Sequence, residues 1–280
     1  MTDRYFGKSV AFLTQHGKEA LIGSAFKESL GCHVVRAEGF DTDLLGTFSG
    51  DVKRPDTQIQ TARKKAEIGM DLTGFNLGLA SEGAFVPDPF SSLIPWNIEV
   101  LVWIDKENEL EIIGTAQGPA RSLHRAIKHF SELEKFAYEA GFPEHHLLLR
   151  PQSENDLRVK KGIANSGELK QAFEECQKQA SNQTVFAEND LRAFCNPTRQ
   201  SMIRLAAQDL LSKIQSKCPV CETPGFSMTE HVSGLLCSAC RKQTKLAKSF
   251  TWRCEKCDFK LNQPNKMLFA DPSRCDFCNP

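Results

Sequence analysis

Short apolar runs and amphipathic stretches take turns along the chain. Ser9–Thr14 is brief, apolar and rich in β-forming residues, the pattern of a buried strand. Lys18–Leu30 sets Ala20, Leu21, Ala25, Phe26 and Leu30 on one side at helical spacing, and Gly31 ends that helix. His33–Ala37 is a second strand, so the chain opens strand–helix–strand, as α/β domains do. Glu38–Pro55 lacks periodicity and reads as a long loop, a kind that is usually functional or disordered. Asp56–Met70 is helical with Asp56 as N-cap, and Phe75–Ser81 is a strand that leads into Glu82-Gly83. Ile98–Asp105 and Glu109–Ala116 alternate as a hairpin around Lys106–Asn108.

Ser122–Ala140 predicts one long helix, stopped by Gly141-Phe142-Pro143. Leu147–Arg150 reads as a strand, Ser166–Ala180 as a helix and Thr184–Phe186 as a short strand. Asn196–Ile214 is the clearest helix. Asn196 caps it, Pro197 takes the first helical position, and Ile203, Ala206, Ala207, Leu210, Leu211 and Ile214 form its apolar stripe. It runs into Lys217, which sets a boundary: residues 1–216 form an α/β domain, a mixed sheet with flanking helices, and residues 217–280 form a second module.

That second module is built on cysteine. The chain has 11 cysteines, and eight of them form the pairs Cys218/Cys221, Cys237/Cys240, Cys254/Cys257 and Cys275/Cys278. Two intervening residues let a tight turn present both sulfurs to one tetrahedral ion, and such pairs in series are a zinc-ribbon spacing. The expectation is a double zinc ribbon with two structural zinc ions. Sequential pairing puts Cys218, Cys221, Cys237 and Cys240 on one ion and the other four on the second; interleaving would make the chain cross back. Iron also accepts four thiolates. A closed four-thiolate shell leaves no place for water, so the sites are structural. Cys32, Cys176 and Cys195 stand alone and read as small buried hydrophobes.

Charge narrows the class. Lys and Arg total 35 and Asp and Glu total 35, which argues against bulk attraction to nucleic acid or anionic membrane but leaves room for a local patch. The longest apolar run, Ile98–Ile104, is interrupted by Glu99 and falls short of the roughly 20 residues that span a bilayer. The N-terminus lacks a signal-peptide core, so a cytoplasmic protein with reduced thiols and no membrane partner is expected. In the ribbons, a small surplus of cations is offset by zinc–thiolate centres of about −2 each. Phe250, Trp252, Phe259 and Phe277 could stack on bases or form the ribbon core, so a nucleic acid or a protein is the expected ribbon partner.

Two sets of residues suggest phosphate chemistry. Arg192, Arg199 and the helix start at Asn196 fit an anion, against simple salt bridges to Asp190 or Glu188. Asp56, Glu82 and Asp88 lie at element ends on the sheet edge where open α/β folds bind ligands, and could hold magnesium on a nucleotide's phosphates. Lys18, Arg63 and Lys65 could neutralise those phosphates. His145-His146 reads as loop surface, and His16 just follows the first strand.

Two resemblances arise from these residues. The stretch Arg192–Arg199, the helix after it and the start Cys218–Phe226 resemble an uncharacterised family of bacterial proteins, together with Gly46-Thr47-Phe48 and Ser81–Phe85. More remotely, residues 9–118 resemble the nucleoside triphosphate pyrophosphatases that act on inosine and xanthosine triphosphates. The corresponding pieces are Thr14-Gln15-His16-Gly17-Lys18, Asp56, Ala62-Arg63-Lys64-Lys65-Ala66, Glu82 and the Ile98–Ala116 hairpin; His16 stands where that family has Asn, and Asp56 where it usually has Glu. The resemblance implies magnesium-dependent hydrolysis of a nucleotide or related phosphate ester. Glu82 and Asp56 would hold the metal, with Lys18, Lys65, Arg192, Arg199 and the Asn196 helix start on phosphate. The competing expectation is a non-enzymatic protein whose ribbons bind a partner and whose α/β domain senses a ligand.

Overall fold

A computed structural model describes residues 4–14, 17–45 and 56–280. The expected phosphate-loop residues Gln15 and His16, and Gly46-Thr47-Phe48, lie outside them. Backbone contacts divide the chain into two compact units, Met1–Leu210 and Leu211–Pro280. Among the described residues the fold is mixed α/β, with five α-helices and three sheets. No helix among them is long and apolar enough to cross a membrane.

The first unit opens with β1 (Ser9–Leu13), α1 (Lys18–Leu30) and β2 (His33–Ala37), where the periods predict them. Then follow α2 (Gln58–Thr73), β3 (Leu77–Pro87), β4 (Pro95–Asp105) and β5 (Leu110–Pro119). They form a five-stranded sheet in the order β2-β1-β3-β4-β5. β1 runs parallel to both β2 and β3, while β3, β4 and β5 are antiparallel neighbours.

Strand alternation separates the helices onto two faces. Ala62 and Ala66 of α2 pack on Ala80, Val100 and Val102. Phe26 of α1 stacks on Trp103, their rings 5.9 Å apart, and Tyr5 meets the same indole edge-on at 5.1 Å. On the Trp103 face also lies α5 (Pro197–Gln215), whose backbone comes so close that a Cβ on Gly114 would stand 2.5 Å from the Ala206 carbonyl oxygen. With α1 and α2 on opposite faces, the chain leaves β1 towards one edge and returns to β3 across the other side. The gap between the C-terminal ends of β1 and β3 is therefore a topological switch point, the usual ligand crevice of open α/β sheets.

The α2 helix is capped by Thr57, not Asp56: Thr57 Oγ1 accepts the Gln60 N–H at 3.3 Å, and Gln60 Oε1 accepts the Thr57 N–H at 3.0 Å. This reciprocal box satisfies two orphan donors, which a single carboxylate one residue earlier could not do. Asp56 pairs instead with Lys64, 2.6 Å away.

The rest of the first unit is a four-stranded sheet covered by two helices: β6 (His124–Ile127), α3 (Phe130–Ala140), β7 (Leu147–Pro151), β8 (Lys160–Ile163), α4 (Ser166–Gln179) and β9 (Val185–Asn189). The strand order is β6-β9-β7-β8, and both helices pack into one core with Ile127, Leu147, Leu149, Ile163, Val185 and Ala187. The long helix expected from Ser122 starts only at Phe130. Glu132 accepts the N–H groups of Lys128 and His129 at 3.0 and 3.4 Å and so starts the helix there, leaving His124–Ile127 to pair with β9. Polar β8 gave no alternation to read, because it is an edge strand with Ile163 as its buried residue.

The second unit carries a three-stranded antiparallel sheet, β10 (Ser227–Ser233), β11 (Ala247–Arg253) and β12 (Lys260–Pro264). Within it, the end of α5 is closed by the Gly225 N–H, which donates to the Lys213 and Ser216 carbonyls at 3.1 and 3.0 Å.

Candidate functional site

The eight paired cysteines meet in two groups of four: Cys218, Cys221, Cys254 and Cys257, and Cys237, Cys240, Cys275 and Cys278. This interleaving corrects the sequential pairing expected above. The meander explains it. Cys218 and Cys221 precede β10, Cys237 and Cys240 follow it, Cys254 and Cys257 follow β11, and Cys275 and Cys278 follow β12. Antiparallel strands return the chain to the same end every second time, so each end of the sheet gathers two pairs. The crossing that spacing made unattractive is an ordinary strand.

The geometry fits a tetrahedral ion. The Cys218–Cys257, Cys221–Cys254, Cys237–Cys278 and Cys240–Cys275 sulfur separations are 3.7, 3.6, 3.8 and 3.6 Å. Four sulfurs at about 2.3 Å from a zinc ion lie about 3.8 Å apart, whereas a disulfide needs about 2.05 Å. The first cysteine of each pair is buried. Around the first group, Phe226 packs on Cys218 and Cys254 with Trp252 and Phe259. Those aromatics are therefore ribbon core, while Phe277 is 62% exposed.

At the switch point of the first unit lies a buried polar cluster. Lys18, the first residue of α1, is 6% exposed and donates from Nζ to Ser81 O and Oγ at 3.2 and 2.9 Å. Lys65 of α2 forms a buried ion pair with Glu82 of β3. Gln58 Nε2 ties the Glu82 and Ile98 carbonyls together at 2.7 and 2.8 Å. From α5, Arg199 reaches Glu99 of β4, Nε to Oε1 at 2.7 Å, with both residues almost fully buried. Asn196 Oδ1 accepts the Arg199 N–H at 3.0 Å, and Arg199 Nη1 donates to the Leu191 carbonyl at 2.6 Å. Gly83, opposite Glu99 in the β3–β4 ladder, makes room for this pair: a Cβ there would fall 2.3 Å from Glu99 Oε1. Two buried acceptors in the cluster, Glu99 Oε2 and Asn97 Oδ1, have no hydrogen-bond partner among the described residues.

The electrostatics single out Lys18. Burial, which strips water from its ammonium, and then the nearby Arg199 guanidinium lower its pKa to about 7 against the partial offset of Glu82 and Glu99. At the start of α1, Gly17 offers no side-chain cap, so its first N–H groups add positive potential beside this lysine.

Of the predicted residues, Lys65 and Glu82 pair on the α2 face of the sheet, Arg199, its N–H held by Asn196, meets Glu99 on the Trp103 face, and Lys18 feels the charges of both pairs. Arg192 is held by Asp190, Nε to Oδ1 at 3.0 Å and Nη2 to Oδ2 at 2.5 Å, the salt bridge weighed as the alternative. Arg63 pairs with Glu111 at 2.6 Å. Asp88 organises its own loop, accepting the N–H groups of Phe90, Ser91, Leu93 and Ile94, which hold its carboxyl well below the usual range. His145 is not open loop surface: it is half-buried, with Nε2 2.9 Å from Thr198 Oγ1. Cys32, Cys176 and Cys195 are buried as expected, and burial pushes the thiols of Cys176 and Cys195 up to about 11 and about 12. Sequence reasoning missed Glu99 and Asn97. Their signal was present: a lone acid in the apolar run Ile98–Ile104, on the face of Leu101 and Trp103.

Residues 65–280 match a family described as a domain of unknown function, DUF6671. The chain belongs to the DUF6671 family. No curated protein matches it. The DUF6671 match begins at Lys65, so it takes in Glu82, Glu99, Asn196, Arg199 and all eight ribbon cysteines, while Lys18 and Asp56 precede it.

Proposed function

We propose that the first unit binds the phosphates of a nucleotide, or of a related phosphate ester, at its switch point and hydrolyses the ester with magnesium. One observation carries the reading: Lys18 is buried at the uncapped start of α1, beside Arg199, with an ammonium that holds its proton only to about pH 7. A desolvated cation under repulsion from a second cation gains most from an incoming anion. The helix N–H groups favour the same ligand. The remote resemblance to the inosine and xanthosine triphosphate pyrophosphatases supports the same class, since Lys18, Lys65 and Glu82 are among its corresponding pieces.

Magnesium commonly uses one or two carboxylates and takes its remaining ligands from water and substrate phosphate. Glu82 would serve as its protein ligand on exchanging Lys65 for the ion, and Asp56 on leaving Lys64. The bound ion would polarise the phosphoryl group and activate water. In this reading Lys18, Lys65 and Arg199 neutralise the phosphates. Gln58 fixes the β3–β4 backbone that carries Glu82. The unpartnered Glu99 and Asn97 oxygens accept a donor on the ligand, such as a sugar hydroxyl.

The test is a screen of nucleoside triphosphates for pyrophosphate release with magnesium, run on the parent protein and on Glu82→Gln. Release that falls by about a hundredfold or more in the variant supports the hydrolase. Background rates in both end it. Nucleotide binding without turnover would instead support the non-enzymatic reading, a ligand sensor joined to a partner-binding ribbon.

A further inference from the structure

Charge is unevenly spread over the ribbon unit. Around the Cys237 group, exposed Arg241, Lys242, Lys245, Lys266 and Arg274 stand against Asp271 and Asp276, and Lys245 pairs with Asp276 at 2.9 Å. Around the Cys218 group the charges balance, with Glu222, Glu230, Glu255 and Asp258 against Lys217, Arg253, Lys256 and Lys260. The cation-rich end also displays its aromatics. Phe269 and Phe277 are 42% and 62% exposed, whereas Phe226, Trp252 and Phe259 at the other end fill the core. Each exposed ring is flanked by a cation: the Arg241 guanidinium lies 4.0 Å from the Phe269 centroid, and the Lys242 ammonium 3.8 Å from that of Phe277.

We propose that this end of the ribbon unit binds single-stranded nucleic acid, with Phe269 and Phe277 stacking on bases and Arg241 and Lys242 on the phosphates between them. Two exposed rings, each with its own cation, supply the flat surface and the charge that an unpaired strand presents in alternation. A duplex hides its base faces and would meet only the cations. Cys240 and Cys278 are exposed, so the charge of about −2 of a zinc–thiolate centre reaches the surface, and the five cations against two carboxylates exceed it. This proposal concerns a separate surface and does not depend on the phosphate site of the first unit.

The experiment uses the full zinc-loaded chain and a fluorescein-labelled oligothymidylate of about 20 nucleotides, several times the length one such platform covers, read by anisotropy at low salt. Binding is expected to weaken about tenfold or more in Phe277→Ala, which removes one stacking platform. Lys242→Gln should lower the slope of log affinity against log salt by about 0.7. Both side chains are exposed, and retained zinc content verifies that the variants fold. No anisotropy change with the parent protein overturns the proposal. So does equal affinity in Phe277→Ala, and so does a labelled polyglutamate peptide that binds in its place with the same dependence on Phe277.

Discussion

The two units reach a fold by opposite routes. The first unit buries Trp103, Phe12, Phe26 and Leu101 in a sheet core, and can hold Glu99 and Arg199 in its interior because the packing around them is extensive. The ribbon unit has one small apolar cluster, Phe226 with Trp252 and Phe259, and its sheet is largely exposed: every residue of β12 is open to solvent. There two groups of four sulfurs, fit to hold metal, stand where a core would be. The lesson is about where charge is tolerated. In the first unit Glu99 with Arg199 and Glu82 with Lys65 are buried as matched pairs at a cost that the core covers, whereas in the second the four-sulfur groups are the fold's own fasteners.

The sharpest way to break this comparison is to remove metal. Structural zinc contributes about 10–16 kcal/mol in zinc-finger peptides. A strong chelator should therefore make residues 211–280 protease-sensitive while the first unit stays resistant, read by mass spectrometry of the fragments. Zinc content also tests the pairing. Cys218→Ser with Cys254→Ser should lose one of two equivalents, and Cys218→Ser with Cys275→Ser should lose both. Sequential pairing would instead cost both equivalents in each of the two double variants.

A smaller effect tests the buried pairs. Arg199→Met leaves Glu99 buried and uncompensated, which costs about 3–5 kcal/mol for such pairs. Urea unfolding should show it as a lower midpoint. A change below 1 kcal/mol would mean that water reaches this site after all, because exposed pairs are worth about that little.

The least expected change is in pH dependence. Folded Lys18 releases its proton near pH 7, while the unfolded chain keeps it to about 10.4. Between those values unfolding takes up a proton, so stability rises with pH; below 7 both states hold the proton and the full cost of burying the charge is felt. From pH 7 to 9 the gain should be about 2 kcal/mol relative to Lys18→Met, whose stability lacks this term. Parallel curves for the two proteins would show that Lys18 is solvated.

Local order was legible wherever a periodic pattern met a cap or a turn signal. The Asn196–Pro197 helix start, the strand–helix–strand opening and the β4–β5 hairpin were readable this way. The misses share a cause. His124–Ile127 and Lys160–Ile163 are edge strands with little buried surface, so no alternation marked them. The candidate site was half legible: Lys18 stands at the start of α1, a visible position, while Lys65, Glu82 and Glu99 lie inside α2, β3 and β4, and the partner of Glu99, Arg199, is 100 positions away.

By itself, the sequence of this chain determined that eight cysteines would stand in four pairs fit to hold metal, because a Cys-x-x-Cys turn is a local geometry set by four residues. It also determined where α5 begins, since the Asn196 cap and the first-turn proline act within one helical turn. Which cysteine pairs share an ion, and which cation neutralises which carboxylate, only the tertiary structure decided. Those choices depend on the direction in which antiparallel strands return the chain and on how closely α5 approaches the sheet across Gly114, and such distances belong to no short segment.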